Sequence, residues 1–151
     1  MLSIFNLSDP GSDYIIIIGC GRLGSTLANQ LSDEGGNVMV IDHSRDSMRK
    51  LSPSFGGLTL IGDGTNLEIL TEAQIKNAHY VIVVTDDDNT NIMISQLAKE
   101  LFHVPHVIAR LYDPERECVY KELDIETISP SMLSAYEIKS LMQKPRKVSN
   151  Q

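Results

Sequence analysis

Apolar residues in this chain fall into short unbroken runs, and the runs alternate with stretches of helical spacing. Tyr14-Ile15-Ile16-Ile17-Ile18 contains four consecutive β-branched side chains and nothing charged, the pattern of a strand covered on both faces. Similar runs recur at 37–41, 57–61, 80–84 and 106–109, and a sixth, shorter one at 126–129. Between them, Leu27, Ala28 and Leu31 trace one helical face, and Ile94, Leu97, Ala98 and Leu101 trace another at i, i+3, i+4 and i+7. The first helix is expected over 22–34, closed by Gly35-Gly36, and a short one over 44–51, closed by Pro53. Thr65 and Glu68 match a capping box that would start the third helix and leave Asp63 without a structural role. Pro114 starts a helix through Leu123, and the last helix begins after Pro130 with Ser129 or Ser131 near its cap. Buried strands that each lead into a helix predict an α/β fold. The expected architecture is a Rossmann-type, doubly wound, parallel six-stranded sheet in the order 3-2-1-4-5-6, with right-handed crossovers.

The turns after the strands carry the candidate chemistry. The first strand runs directly into Gly19-Cys20-Gly21-Arg22-Leu23-Gly24, a G-x-G-x-x-G that opens a helix. In that setting Gly19 permits a tight turn, Gly21 lets the backbone approach a pyrophosphate, and Gly24 lets helix and strand pack closely. The helix N-terminus adds free N–H groups and a positive dipole end. The second strand ends in Asp42, near the spacing of about 20 residues expected of an acid that accepts ribose hydroxyls; the plainer role for it is capping the next helix. Asp42 also disfavours a 2′-phosphate by charge. Asp63 stands at the end of the third strand, on the edge where open α/β sheets bind ligands. Asp86-Asp87-Asp88 after the fourth strand reads either as a metal site or as a helix cap and dipole complement; no further ligand is evident in the sequence, so the cap is expected and no metal. Arg110 ends the fifth strand, where a guanidinium can meet a phosphate, pair with Asp86 or form a structural salt bridge.

Composition narrows the class. The chain has 151 residues, 42% apolar, with 13 basic against 20 acidic residues and a formal charge of −7. That is enough for one domain with a core, and the acidity argues against a nucleic-acid surface. No apolar run approaches the roughly 20 residues needed to span a bilayer, and Met1 to Phe5 lacks the features of a signal peptide. The expectation is a cytoplasmic protein that does not itself insert into membrane, with both cysteines reduced. Cys20, near a helix N-terminus, is either a small turn residue or a redox-sensitive thiolate favoured by the dipole; Cys118 reads as structural. The final helix carries Met132, Leu133, Ala135, Tyr136, Ile138, Leu141 and Met142, more apolar surface than one packing face requires. The chain thus divides into an extension at 1–13, a nucleotide-binding unit at 14–129, and a partner-binding helix with a basic tail (Lys144, Arg146, Lys147) at 130–151.

Together, G-C-G-R-L-G, the strand-end Asp42, G-D-G-T at 62–65, T-D-D-D-N-T-N at 85–91 and A-R at 109–110 resemble the RCK (KTN) domain over about residues 14–142. This is the nucleotide-binding regulator of Trk and Ktr type potassium transporters and related potassium channels. The resemblance implies that the Gly19–Gly24 turn, Cys20 and Leu23 included, holds phosphates, with Arg22 reaching one of them. It further implies that Asp42 holds the adenosine ribose with His43 beside the adenine, that Asp63, between Gly62 and Gly64, faces the adenine edge, and that Thr85, Asp86 and Arg110 line the far half. NAD(H), ATP, ADP or AMP would be the ligand. A homodimer or larger ring, coupled to a membrane-embedded potassium transporter or channel subunit at the inner face of the membrane, would be the assembly. Many members carry a second C-terminal lobe, and Gly64 stands where the family often has Ala. An NAD-dependent oxidoreductase or its cofactor domain is the alternative; it needs a substrate domain and a positioned acid or base.

Overall fold

The computed structural model describes residues 13–145. Residues 1–12 of the expected extension at 1–13, and the tail residues Arg146 and Lys147, lie outside the described residues. Six strands form the sheet: β1 (Tyr14–Ile18), β2 (Asn37–Asp42), β3 (Leu58–Ile61), β4 (Tyr80–Val83), β5 (His106–Arg110) and β6 (Glu126–Ile128). Their order is β3-β2-β1-β4-β5-β6 and every pairing is parallel, the doubly wound arrangement that the alternation predicts. Five α-helices connect or follow them: α1 (Arg22–Asp33), α2 (Leu67–Glu72), α3 (Asp88–Gln96), α4 (Glu117–Glu122) and α5 (Pro130–Gln143). The segment expected as a short helix at 44–51 is a 3₁₀ turn, Asp46–Lys50, and α3 runs on into a π-helical turn at Leu97–Leu101.

Burial on both faces is realised in β1, where Ile15, Ile16, Ile17 and Ile18 are all at most 2% exposed. Alternation sorts them. Ile15 and Ile17 join Ala28 and Leu31 of α1 on one face, while Ile16 and Ile18 join Leu70, Ile94, Ala98 and Tyr120 on the other. β1 therefore sits at the centre, with β2 and β4 as its neighbours, and the chain reverses its direction of winding between them. That reversal opens a crevice at the carboxyl ends of the strands.

α5 differs from the other helices. None of its residues is buried, and Met132, Leu133, Tyr136, Ile138, Leu141 and Met142 are all more than half exposed. Ser129 is its N-cap residue but makes no side-chain cap bond; its hydroxyl meets that of Ser131.

Candidate functional site

A cleft of about 740 Å³ opens at the carboxyl ends of β1 and β4, within the range of roughly 300–1,000 Å³ usual for small-molecule sites. Its floor is the end of β1 and the glycine turn. Gly19 adopts φ +108°, and a Cβ there would lie 2.8 Å from the Val84 backbone, so only glycine fits. A Cβ on Gly24 would lie 1.8 Å from the Gly19 carbonyl oxygen, which accounts for the close approach of α1 to the turn. Gly21 has open space on its Cβ side and lines the cleft. It is also the N-cap residue of α1 and supplies no side chain, so the first N–H groups of the helix have no capping partner. An uncapped helix start beside an open glycine suits an anion.

Asp42 lies on the β2 side. Its carboxylate is largely buried, with Oδ2 accepting from the Cys20 N–H at 2.7 Å and Oδ1 from the Ser44 N–H at 2.8 Å. Two bonds leave lone pairs on both oxygens for further donors, which fits a ribose diol. The same bonds tie the glycine turn to the β2 end, so Asp42 is both a turn anchor and a ligand candidate. His43 is exposed beside it, with Nδ1 3.7 Å from Asp42 Oδ1.

On the β3 side the expectation from sequence needs correcting. Asn66, not Thr65, caps α2, its Oδ1 accepting from the Glu68 N–H at 2.9 Å. The Thr65 N–H and hydroxyl instead both donate to Asp63 Oδ1, at 2.9 and 2.8 Å. Asp63 therefore does have a structural role, because it closes an Asx turn. Those two bonds hold its carboxyl below the usual range, the nearby His43 helping slightly. The capping-box spacing matched one residue too early because Thr65 and Asn66 are both competent caps, and the turn's own backbone decides between them.

The β4 side separates the three acids. Asp87 caps α3, accepting from the Asn89 N–H at 3.0 Å and the Thr90 hydroxyl at 3.1 Å. Asp88 turns away and accepts from the Tyr112 and Asp113 N–H groups, pinning the loop after β5. Asp86 does neither and lines the cleft. The capping reading thus holds for Asp87, and among the described residues no group of acids, histidines and cysteines is placed to hold a metal ion. Arg110 does not pair with Asp86. Its Nη2 donates to the carbonyls of Val84 (2.8 Å) and Thr85 (2.6 Å), and the guanidinium lies 4.8 Å from the centre of the Tyr112 ring. Its buried Nε has no partner. A guanidinium reaches backbone carbonyls here because the β4–α3 loop curls over the end of β5.

The residue that holds this loop was not singled out from the sequence. Asn91 is fully buried. Its Nδ2 donates to the Thr85 and Arg110 carbonyls, both at 3.1 Å, and its Oδ1 accepts from the Thr85 N–H and hydroxyl. Asn91 shares a helical stripe with Ile94 and Ala98, and a polar residue on an inward stripe was the available signal. Ser44, Ser47, Thr65 and Thr90 also line the cleft without having been expected there.

Of the glycine-turn residues, Cys20, Arg22, Leu23 and Gly24 are not among the cleft-lining residues. Leu23 packs into the core face that holds Ile15 and Ile17, and Arg22 is exposed at the start of α1. The Cys20 thiol is buried and donates to the Ser47 carbonyl at 3.3 Å. Burial pushes it up and the Asp42 carboxylate adds to this, with Lys50 opposing, which favours the protonated thiol over a thiolate. Cys118 is exposed on α4 rather than packed as a structural residue.

A parallel sheet wound outward from β1, with a glycine turn at the first strand end and a carboxylate at the second, defines the Rossmann class of domains. Comparison with known proteins narrows this. Residues 15–130 match the TrkA-N domain. The chain belongs to the TrkA-N domain family. It is 44% identical over 116 residues to the Trk system potassium uptake protein TrkA of Streptomyces coelicolor, covering 77% of this chain and 52% of that protein. A TrkA homolog of Methanothermobacter thermautotrophicus is 32% identical over 134 residues, 88% of this chain and 62% of that one. The chain thus spans about half to three fifths of these relatives. Among solved structures, the GsuK channel bound to NAD superposes with a TM-score of 0.75 at 26% identity, over 89% of this chain and 24% of the channel. The TrkA-N domain of the inner membrane protein ybaL of Escherichia coli reaches 0.79 at 21% identity, over 87% and 98%, a likeness of fold.

Proposed function

We propose that this chain is the nucleotide-sensing part of a potassium uptake regulator. In this reading it binds NAD(H) or an adenine nucleotide (ATP, ADP or AMP) in the cleft and passes the bound state to a membrane-embedded potassium transporter or channel subunit. The observation that carries the proposal is the TrkA-N match over 15–130, which takes in every strand end that lines the cleft. The relatives named Trk system potassium uptake protein TrkA, and the GsuK structures bound to NAD and to ADP, support the transport setting and the ligand class.

In this reading the Gly19–Gly21 turn and the uncapped start of α1 hold the phosphates, and Arg22 reaches them only by swinging in from solvent. Asp42 takes the ribose hydroxyls, His43 and Asp63 flank the adenine, and Thr85, Asp86 and Arg110 bound the other half. The unit that does this is 14–129. The exposed apolar side chains of α5 serve assembly, as a homodimer or larger ring. No helix among the described residues is long and apolar enough to cross a membrane. In this reading contact with the inner face of the membrane is made by the partner subunit.

Mass spectrometry of the nucleotide that co-purifies with the chain tests the ligand class. A melting scan with NAD(H), ATP, ADP and AMP accompanies it. A ligand at about 100 times its Kd adds about 2.7 kcal/mol. Asp42→Ala should weaken it by about 1–3 kcal/mol, the scale of a hydrogen bond to a charged group. No co-purifying nucleotide together with no melting shift from any of them sinks the reading.

A further inference from the structure

We propose that Asp86 sets the ligand preference of the cleft, favouring a dinucleotide such as NAD⁺ over metal-free ATP. The inference rests on the nucleotide reading above. Four carboxylates line the cleft: Asp42, Asp63, Asp86 and Asp87. Three are already occupied, Asp42 by the Cys20 and Ser44 N–H groups, Asp63 by Thr65, and Asp87 by Asn89 and Thr90. Asp86 is exposed and has no hydrogen-bond or ion-pair partner among the described residues.

Its position decides what it meets. Asp86 follows β4, and Asp42 ends β2; the two strands flank β1 on opposite sides. An adenosine held by its ribose at Asp42 sends its phosphates across the glycine turn towards the β4 side. A triphosphate then carries its outermost charge towards Asp86. A dinucleotide instead brings a second ribose, whose hydroxyls can donate to the free carboxylate, and in the oxidised form a cationic ring. No ion pair neutralises the carboxylate among the described residues. Arg110 is the one Lys or Arg among the described residues lining the cleft, and its Nη2 is engaged by the Val84 and Thr85 carbonyls. The formal charge of −7 for the whole chain works in the same direction. Solvent screens an exposed carboxylate, and one like-charge pair at a few ångströms still changes relative affinity by up to about tenfold.

Calorimetry on the full chain tests this with three probes: NAD⁺, ATP in EDTA, and ATP with Mg²⁺. The wild type should bind NAD⁺ more tightly than ATP in EDTA, and Mg²⁺ should recover much of the ATP affinity by neutralising its charge. Asp86→Asn should move the ratio of the two dissociation constants by about tenfold towards metal-free ATP. The ligand-free variant should melt as the wild type does, because Asp86 holds nothing in the fold. A wild type that prefers metal-free ATP overturns the proposal without any variant. So does a ratio that moves less than about threefold in Asp86→Asn. A wild type that binds none of the three probes overturns the proposal, and one that also fails to respond to NADH, ADP and AMP overturns the nucleotide reading itself. NAD⁺ binding with an unmoved ratio overturns only the role of Asp86.

Discussion

Replacing Asn91 with alanine should be among the costliest single changes that touch no apolar core residue. The side chain is fully buried and closes the β4–α3 loop onto the end of β5 through two donated and two accepted hydrogen bonds. Not all of its partners are orphaned when it goes. The Thr85 carbonyl still receives Arg110 Nη2 at 2.6 Å, and the Thr85 hydroxyl still has the Asp87 carbonyl at 3.4 Å. The Thr85 N–H and the Arg110 carbonyl lose their Asn91 bond. An unsatisfied buried polar group costs about 1–3 kcal/mol, so the two together set the expected loss at about 2–6 kcal/mol. For a domain of this size about 1 kcal/mol corresponds to about 2–4 °C, so the Tm should fall by roughly 4–24 °C. Asn91→Asp should be as bad or worse, because it turns the Nδ2 donor into an anionic oxygen facing two carbonyls. Urea unfolding of wild type and both variants gives the free energies, and exchange of the Thr85 amide reports the loop itself. A loss below about 0.5 kcal/mol with the Thr85 amide still protected would refute the role assigned to Asn91.

Other outcomes follow from single features of the fold. Gly24→Ala should abolish folding or leave an insoluble chain, because its Cβ would sit 1.8 Å from the Gly19 carbonyl oxygen and 3.2 Å from the Val84 side chain; a soluble variant with wild-type Tm would contradict the close packing of α1. Tyr120 is fully buried and its hydroxyl donates to the Asp88 carbonyl. Burial first, then the Asp88 carboxylate, pushes its ionisation up to about 12. The folded state prefers the protonated phenol, so the contribution is whole below the ordinary tyrosine value of about 10 and fades as pH rises from there towards 12. Tyr120→Phe should flatten that alkaline decline, and identical pH curves would rule it out. Leu133→Asp combined with Ile138→Asp should leave the fold intact, since both are more than half exposed, and yield monomers by light scattering; a variant that assembles as the wild type does would remove α5 as the interface. Cys118 should be alkylated well before Cys20 at pH 7–8, because one is exposed and the other is buried with its thiol pushed up. Mass mapping of the first adduct decides it.

Much of this molecule was legible from one dimension. Unbroken β-branched runs can be buried on both faces only in a sheet covered by helices, and their alternation with helical spacing leaves little besides a parallel, doubly wound order. Gly24 was legible because its constraint is local to one strand–turn–helix unit, where a Cβ would strike the Gly19 carbonyl; the Val84 backbone that excludes a Cβ at Gly19 comes from β4 and arrives only with the tertiary structure. The excess apolar surface of α5 was visible as more than one stripe, and every one of its large apolar side chains emerged exposed. What the sequence could not decide was which of several equally competent polar groups takes each partner. Thr65 and Asn66 can both cap a helix, and the turn that Asp63 closes selects Asn66. Asp86, Asp87 and Asp88 are chemically alike, yet one is left free, one caps α3 and one reaches Tyr112 and Asp113, more than twenty residues on. Arg110 can satisfy a carboxylate or a carbonyl, and the curl of the β4–α3 loop brings the Val84 and Thr85 carbonyls to it first. Periodicity along the chain determines which face of an element is buried. Which hydrogen bonds close at a strand end depends on distances between segments that meet only after the sheet has formed.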